Sequence, residues 1–184
     1  SNFENIIASN ENLANFVSFL IGDIPAIVQS MYFEGNSATW EHQDSYYLDD
    51  EDTGSMLAGW IALENIEADA GRFFVCPKSH LVDYAKMDLS NIITSNHQKY
   101  IKTIVEIIKD NNFEIKAPKL DKGDILIWNA LTIHGSLDSQ SKSNSRSSIT
   151  FHAIKSSSRF QVLRNVLRKL NYDKNYPFFI FRPK

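Results

Sequence analysis

The sequence is poor in cysteine and has no long apolar run. Of the 184 residues only Cys76 is a cysteine, so no disulfide can form within the chain, and we expect a reducing compartment, the cytoplasm. No segment is long and apolar enough to span a bilayer, and the N-terminus lacks the basic and apolar regions of a signal peptide, so we expect no membrane association. The formal net charge of −3 argues against a nucleic-acid-binding surface.

What is present is the composition of an ordinary globular protein, with 43% hydrophobic and 22% charged residues. A chain of 184 residues can bury a substantial core. No internal repeat and no domain boundary is evident along it. We therefore predict a single domain over residues 1–184.

Hydrophobic periodicity predicts few helices and many short strands. Apolar residues at helical spacing indicate one helix over about 9–22 and another over about 95–110. Many short strands separated by turn residues favour a barrel or a sandwich. The predicted strands cover residues 27–33, 40–48, 56–66, 73–77, 113–117, 125–131 and 146–154.

The segment 158–170 is predicted to be a C-terminal amphipathic helix. Its apolar residues recur at helical spacing and would pack against the domain, while its basic residues would be solvated. We expect packing here rather than the docking of an acidic partner. The apolar residues are Phe160, Leu163, Leu167 and Leu170, and the basic ones are Arg164, Arg168 and Lys169.

The stretch WEHQDSYYL, residues 40–48, places a histidine and a carboxylate two positions apart. In a strand, residues i and i+2 point to the same face, roughly 7 Å apart. His42 and Asp44 could therefore converge on one metal ion, provided that a third ligand comes from elsewhere. The acidic run that begins at Asp49 could also bind a cation, but a solvated loop is the favoured interpretation.

Four other histidines could supply the third ligand. His134 is the best candidate, because it follows a buried strand and precedes a glycine turn. His80 lies in a turn, where bonding to backbone carbonyls is the commoner role, and His97 begins a predicted helix. His152 lies inside the last strand and could line a cavity. Two imidazoles and a carboxylate form the facial triad of non-haem iron oxygenases, but zinc accepts the same ligands.

Arg146 favours an iron oxygenase over a zinc-dependent hydrolase. Along the last strand, Arg146, Ser148, Thr150 and His152 share one face, and the bulky apolar residues occupy the other. A polar face opposite an apolar one is expected to look inward. An arginine followed two residues later by a serine can grip a carboxylate with two parallel bonds. A hydrolytic zinc site does not need that grip, whereas an oxygenase that consumes an oxo-diacid does.

The order of motifs resembles a known family. WEHQD, GWIALENIEADAGRFFVCPKSH, KGDILIWNALTIHGS and RSS together resemble the phytanoyl-CoA dioxygenase family of iron(II)- and 2-oxoglutarate-dependent oxygenases, over residues 27–154. The resemblance implies a mainly β protein with flanking helices, a double-stranded β-helix of the cupin-type jelly roll. It further implies that the metal ligands are His42, Asp44 and His134, and that the cosubstrate is bound by Arg146, Ser136, Trp60 and Gln29. Ser148 is added to the cosubstrate residues because it shares a strand face with Arg146.

The implied reaction is hydroxylation of a small organic substrate with O2, releasing succinate and CO2, and no catalytic side chain beyond the metal ligands is required. Two other functions remain open. One is a non-catalytic cupin-like binding module. The other is a zinc-dependent hydrolase, with Glu41 or Glu64 as its base. The chain departs from the family at Gly71-Arg72-Phe73 and at Lys78-Ser79-His80, and family members have substantial sequence upstream of this region.

Overall fold

The protein is described from a computed structural model that covers residues 6–35, 38–82, 96–141, 143–163 and 166–182. Two helices, α1 (Glu11–Ile21) and α2 (His97–Asp110), flank the strands. Neither of them has the length and apolar character needed to cross a bilayer. The strands are β1 (Pro25–Phe33), β2 (Thr39–His42), β3 (Leu48–Asp50), β4 (Leu57–Ala62), β5 (Phe73–Val75), β6 (Ile125–Asn129), β7 (His134–Ser136), β8 (Ser148–Lys155), β9 (Phe160–Val162), β10 (Val166–Arg168), β11 (Tyr172–Asp173) and β12 (Phe179–Phe181).

The strands form one large and two small sheets. The large sheet has the order β11-β12-β1-β8-β4-β6, and the small sheets have the orders β2-β7-β5 and β10-β9-β3. This is the predicted jelly roll, the double-stranded β-helix with flanking helices. β8 lies between β1 and β4, so its backbone is bonded on both edges and its side chains are held rigidly.

The two helices cover the outer faces of the sheets. In the large sheet, Ile149, Phe151 and Ala153 of β8 pack with the buried side of α1. In the small sheet β2-β7-β5, Phe74 of β5 packs with the buried side of α2. The alternate residues of these strands consequently face the space between the sheets, where the polar row of β8 lies.

Helix α1 confirms its predicted ends. The Asn10 side chain accepts a hydrogen bond from the backbone N–H of Leu13, and Gly22 ends the helix in the left-handed region at φ 71°. The sequence spacing predicts a buried stripe of Leu13, Phe16, Val17 and Leu20. Phe16 and Leu20 are instead exposed while Ala14 and Ile21 are buried, so the buried side is rotated relative to that prediction.

The predicted C-terminal helix over 158–170 is wrong. Its place is taken by β9 and β10, which pair with each other, while β9 also pairs with β3. Leu163 lies in the turn at φ 47°, a conformation that a helix does not contain, and its N–H donates to the carbonyl of Tyr47. The helical spacing of apolar residues was therefore outweighed by pairing to the free edge of β3. The basic residue Arg164 lies outside the described residues.

Two predicted strands are also corrected. Residues 40–48 do not form one strand, because a 3-10 turn at Asp44–Tyr46 separates β2 from β3. The N–H of Gln43 donates to the hydroxyl of Tyr100, and that of Ser45 donates to the carbonyl of Ala130, so neither enters a strand ladder. The predicted strand at 113–117 is reduced to one bridge, between Val75 and Lys116.

Candidate metal centre

Three side chains converge where β2 and β7 lie side by side. His42 ends β2, His134 begins β7, and the two residues are paired in the antiparallel register. Asp44 follows in the 3-10 turn. Its Oδ1 lies 3.3 Å from Nε2 of His134 and 3.7 Å from Nε2 of His42. Within the described ranges, these residues form a group whose ligand atoms all lie within 4.8 Å of one another.

Each imidazole is oriented by a backbone carbonyl two residues before it. Nδ1 of His42 lies 2.8 Å from the carbonyl oxygen of Trp40, and Nδ1 of His134 lies 2.9 Å from that of Thr132. A carbonyl can only accept, so Nδ1 carries the proton in both rings and donates it. The Nε2 lone pairs are left to converge, which is how neutral histidine binds a metal ion.

The surroundings of Asp44 and His134 favour an ionised carboxylate and a neutral imidazole, which are the forms that bind a metal ion. Burial alone would raise the pKa of Asp44, but His134 and His152 outweigh it and hold that pKa well below its usual value. Burial lowers the pKa of His134, despite the opposing pull of Asp44. For His42 burial also favours the neutral ring, but the hydrogen bond and charge of Asp44 outweigh it and raise the pKa. An ionised carboxylate beside a neutral imidazole is what a divalent cation requires.

The group opens into a cavity of about 230 Å³ between the two sheets. The walls near the cluster are aromatic, and the Phe73 ring lies 5.6 Å from the ring of His134. Another side is formed by the inner row of β8, which comprises the inward-facing residues Ser148, Thr150 and His152 together with Arg146 just before the strand. The lining residues are Met31, Phe33, Thr39, His42, Asp44, Trp60, Phe73, Trp128, His134, Arg146, Ser148, Thr150 and His152.

The inner row of β8 carries a buried cation and two hydroxyl groups. Arg146 precedes the strand and is 5% exposed, and burial lowers its pKa. The hydroxyls of Ser148 and Thr150 are buried and have no hydrogen-bond partner among the described residues. Buried polar groups without partners are costly in a folded protein, so this row is suited to a polar ligand.

The other predicted cosubstrate residues divide into two groups. Trp60 lines the cavity and stacks on Phe73 with ring centroids 5.7 Å apart. Ser136 does not line it, and its hydroxyl accepts the backbone N–H of Thr39 at 2.7 Å, which ties β7 to β2. Gln29 lies on β1 opposite His152, but its side chain is not part of the lining.

Sequence reasoning missed the contribution of Trp128 and understated that of His152. The Trp128 indole N–H donates to Oδ2 of Asp44 at 3.0 Å, and Nε2 of His152 lies 3.4 Å from the same oxygen. The sequence did indicate that His152 lies on the same strand face as Arg146, and this could have pointed to its place in the site. No local pattern pointed to Trp128, because the contact joins residues that are 84 positions apart.

The acidic loop after β3 has a structural role. The Asp49 carboxylate accepts backbone N–H groups of Asp50, Gly54 and Met56, so it stabilises the turn that leads into β4. The favoured interpretation, a solvated loop, is confirmed for residues 51–53, which are exposed, but it is wrong for Asp49 and Asp50, which end β3 and are completely buried.

Two histidines and one aspartate converge where β2 and β7 pair inside a jelly roll. This arrangement is that of a cupin-type metal site. The model of the phytanoyl-CoA dioxygenase (PhyH) family matches residues 8–148, and the chain belongs to that family. It is 31% identical over 140 residues to phytanoyl-CoA dioxygenase domain-containing protein 1 from Bos taurus. That match covers 70% of this chain and 45% of the relative, so the chain spans about half the length of the curated relative.

Solved structures share the fold. EctD from S. alaskensis, crystallised with 2-oxoglutarate and 5-hydroxyectoine, superposes with a TM-score of 0.66 at 19% identity, over 88% of this chain and 55% of EctD. The non-haem α-ketoglutarate-dependent epimerase SnoN from nogalamycin biosynthesis gives 0.67 at 14% identity, over 98% of this chain and 72% of SnoN. At these identities the likeness establishes the fold.

Proposed function

We propose that this protein is an iron(II)- and 2-oxoglutarate-dependent dioxygenase that hydroxylates a small organic substrate. One observation carries the proposal: the group of His42, Asp44 and His134 shares a cavity with the buried Arg146. The balanced reaction converts substrate C–H, O2 and 2-oxoglutarate into substrate C–OH, succinate and CO2. Membership of the family supports the same reaction.

The residues present fit iron(II). Two imidazole nitrogens and one carboxylate oxygen on one side of an ion form the facial triad of non-haem iron oxygenases, which leaves the opposite positions open. His42, Asp44 and His134 would hold the ion. When bound, iron supplies the redox chemistry that couples oxidative decarboxylation of 2-oxoglutarate to hydroxylation.

Arg146 would hold the far carboxylate of 2-oxoglutarate. Its guanidinium is fully charged at neutral pH even though burial lowers its pKa, and it can donate two parallel bonds to a carboxylate. Ser148, two residues further along the same face, has a buried hydroxyl with no partner in the described part of the chain. It would donate a third bond. We therefore assign the cosubstrate to the space between the metal ligands and the inner row of β8.

Trp60 and Phe73 would enclose the cosubstrate. Both rings line the cavity and stack on each other, so they form a rigid apolar wall. An apolar wall excludes water, and charged contacts within a water-poor site are stronger than in solvent. Ser136 and Gln29 lie outside the lining and would act only by supporting the strands that carry His134 and His152.

A zinc-dependent hydrolase receives no comparable support. Neither Glu41 nor Glu64 lines the cavity. Glu64 accepts hydrogen bonds from the Ser145 hydroxyl and the Ser147 N–H, which lower its pKa and make it a weaker base.

The test is the conversion of 2-oxoglutarate to succinate by purified protein supplied with iron(II) and oxygen, over a panel of small organic substrates. We expect iron-dependent succinate, stimulated by at least one substrate, and none from Asp44→Ala. A folded protein that binds iron(II) but neither binds 2-oxoglutarate nor forms succinate would support the binding module instead. Metal-dependent hydrolysis with zinc and no succinate with iron would support the hydrolase.

A further inference from the structure

The two oxygens of Asp44 have different surroundings. Oδ1 faces the two imidazoles of the proposed metal ligands, at 3.3 Å from His134 and 3.7 Å from His42. Oδ2 points the other way, toward the indole N–H of Trp128 at 3.0 Å and Nε2 of His152 at 3.4 Å. The torsion that turns a carboxylate about its own axis is soft, so external contacts decide which oxygen faces the ion.

Three neighbouring strands of the large sheet bring these two nitrogen groups to one oxygen. Trp128 of β6 and His152 of β8 both pair with Ala58 of β4, which lies between them. Ala58 is completely buried. Its methyl group is small, which leaves room for the indole and the imidazole on either side to approach the same oxygen of Asp44. A larger residue at this position would separate them.

The chemistry of both side chains requires that they donate. An indole nitrogen is a donor only. In His152, Nδ1 is buried and has no hydrogen-bond partner among the described residues, so Asp44 is the polar group that the ring faces. With the ring proton on Nδ1, the Nε2 lone pair would face a carboxylate oxygen and repel it. Donation from Nε2 is therefore the arrangement that the contact favours.

We propose that His152 is a positioning residue which, together with Trp128, holds Oδ2 of Asp44 and so leaves only Oδ1 to bind the metal. A carboxylate held in this way occupies one position on the ion instead of two. That leaves more positions open for cosubstrate and oxygen. The inference rests on the proposed function, since it concerns the same metal site.

The position of His152 argues against a role as a fourth metal ligand. The group whose ligand atoms lie within 4.8 Å of one another comprises His42, Asp44 and His134, and within the described ranges it does not include His152. The imidazole of His152 contacts the outer oxygen of the carboxylate rather than the inner one.

The experiment is an anaerobic titration of the metal-free protein with cobalt(II), followed by visible absorption, which reports both affinity and coordination number. His152→Phe keeps a ring but removes the donor, and His152→Gln restores one. Groups that orient metal ligands typically contribute 10- to 100-fold to metal affinity, so we expect about tenfold weaker binding for His152→Phe, an altered spectrum, and recovery to within about threefold for His152→Gln. Trp128→Phe should change the spectrum in the same direction.

Thr150→Val is the matched control for metal binding without cosubstrate, because Thr150 lies on the same face of β8 as His152 but its hydroxyl makes no hydrogen bond to Asp44. It should leave cobalt(II) affinity and spectrum unchanged, and circular dichroism establishes that each variant is folded. Wild-type affinity and spectrum in folded His152→Phe would overturn the inference. So would a folded His152→Gln as defective as His152→Phe, which would indicate a fourth ligand or simple packing. Failure of the proposed function looks different: a wild type that binds cobalt(II) with the expected dependence on His152, but forms no succinate with iron(II), would overturn that function and leave this inference standing.

Discussion

Removing the guanidinium of Arg146 should weaken 2-oxoglutarate binding strongly. Arg146 is 5% exposed, so a carboxylate that meets it leaves water almost entirely. Truncating one partner of a buried, hydrogen-bonded charge pair costs roughly 2–5 kcal/mol, since the other charge is left unpaired. At about 1.4 kcal/mol per tenfold, even the lower bound predicts that Arg146→Ala binds 2-oxoglutarate about 30-fold more weakly.

The assay is anaerobic calorimetry of 2-oxoglutarate binding to the manganese(II)-loaded protein. Arg146→Lys keeps the charge but cannot donate two parallel bonds, so its affinity should lie between those of the wild type and Arg146→Ala. Manganese(II) affinity itself should be unchanged in both variants, because Arg146 is not a metal ligand. Equal 2-oxoglutarate affinity in the wild type and Arg146→Ala would refute the assigned role of the guanidinium.

Three further predictions concern stability and the surface. Burial raises the pKa of Asp49 from 3.8 to about 7, against the opposing hydrogen bonds from the backbone. The folded protein therefore binds this proton more tightly than the unfolded chain does, so the contribution of Asp49 to stability is lost as pH rises from about 4 to about 7. Urea unfolding should show Asp49→Asn gaining stability relative to the wild type between pH 5 and pH 8, and an equal difference at both pH values would contradict this. Gly59→Ala would drive a methyl group into the ring of buried Phe151 and should destabilise the protein by about 1–3 kcal/mol, measured by the same unfolding; an unchanged midpoint would show that the ring can move aside. Arg168→Glu, at an exposed position of β10, should leave 2-oxoglutarate affinity within about twofold, because solvent and salt screen exposed charges. A large, salt-sensitive loss of affinity would instead indicate a docking surface.

The convergence of His42, Asp44 and His134 was predictable because these residues are encoded in short local motifs. His42 and Asp44 are two residues apart, and His134 lies between a buried strand and a glycine, so short motifs identify all three. The inward face of β8 was predictable for the same reason, since alternation along a single strand decides it. Phe151 packs with α1 while Ser148, Thr150 and His152 line the cavity, as that alternation requires.

Features that depend on distant pairing were not predictable. The apolar residues between Phe160 and Leu170 have helical spacing, yet Phe160–Val162 and Val166–Arg168 form strands because β3 offers a free edge, and that edge is more than a hundred residues away. The contact between Trp128 and Asp44 depends on the register of β6 with β4 in the same way. The turn at Asp44 is likewise flanked by hydrogen bonds to distant residues, from the N–H of Gln43 to the hydroxyl of Tyr100 and from the N–H of Ser45 to the carbonyl of Ala130.

His42, Asp44 and His134 are proposed to hold an iron(II) ion to which 2-oxoglutarate binds. Anaerobic titration of the iron(II)-loaded protein with 2-oxoglutarate tests this proposal directly, because the complex of iron(II) with this cosubstrate absorbs visible light. We predict an absorption band that saturates when 2-oxoglutarate is equimolar with the chain and is absent in folded His134→Ala. A wild-type protein that develops no band, or an unchanged band in His134→Ala, would contradict the account.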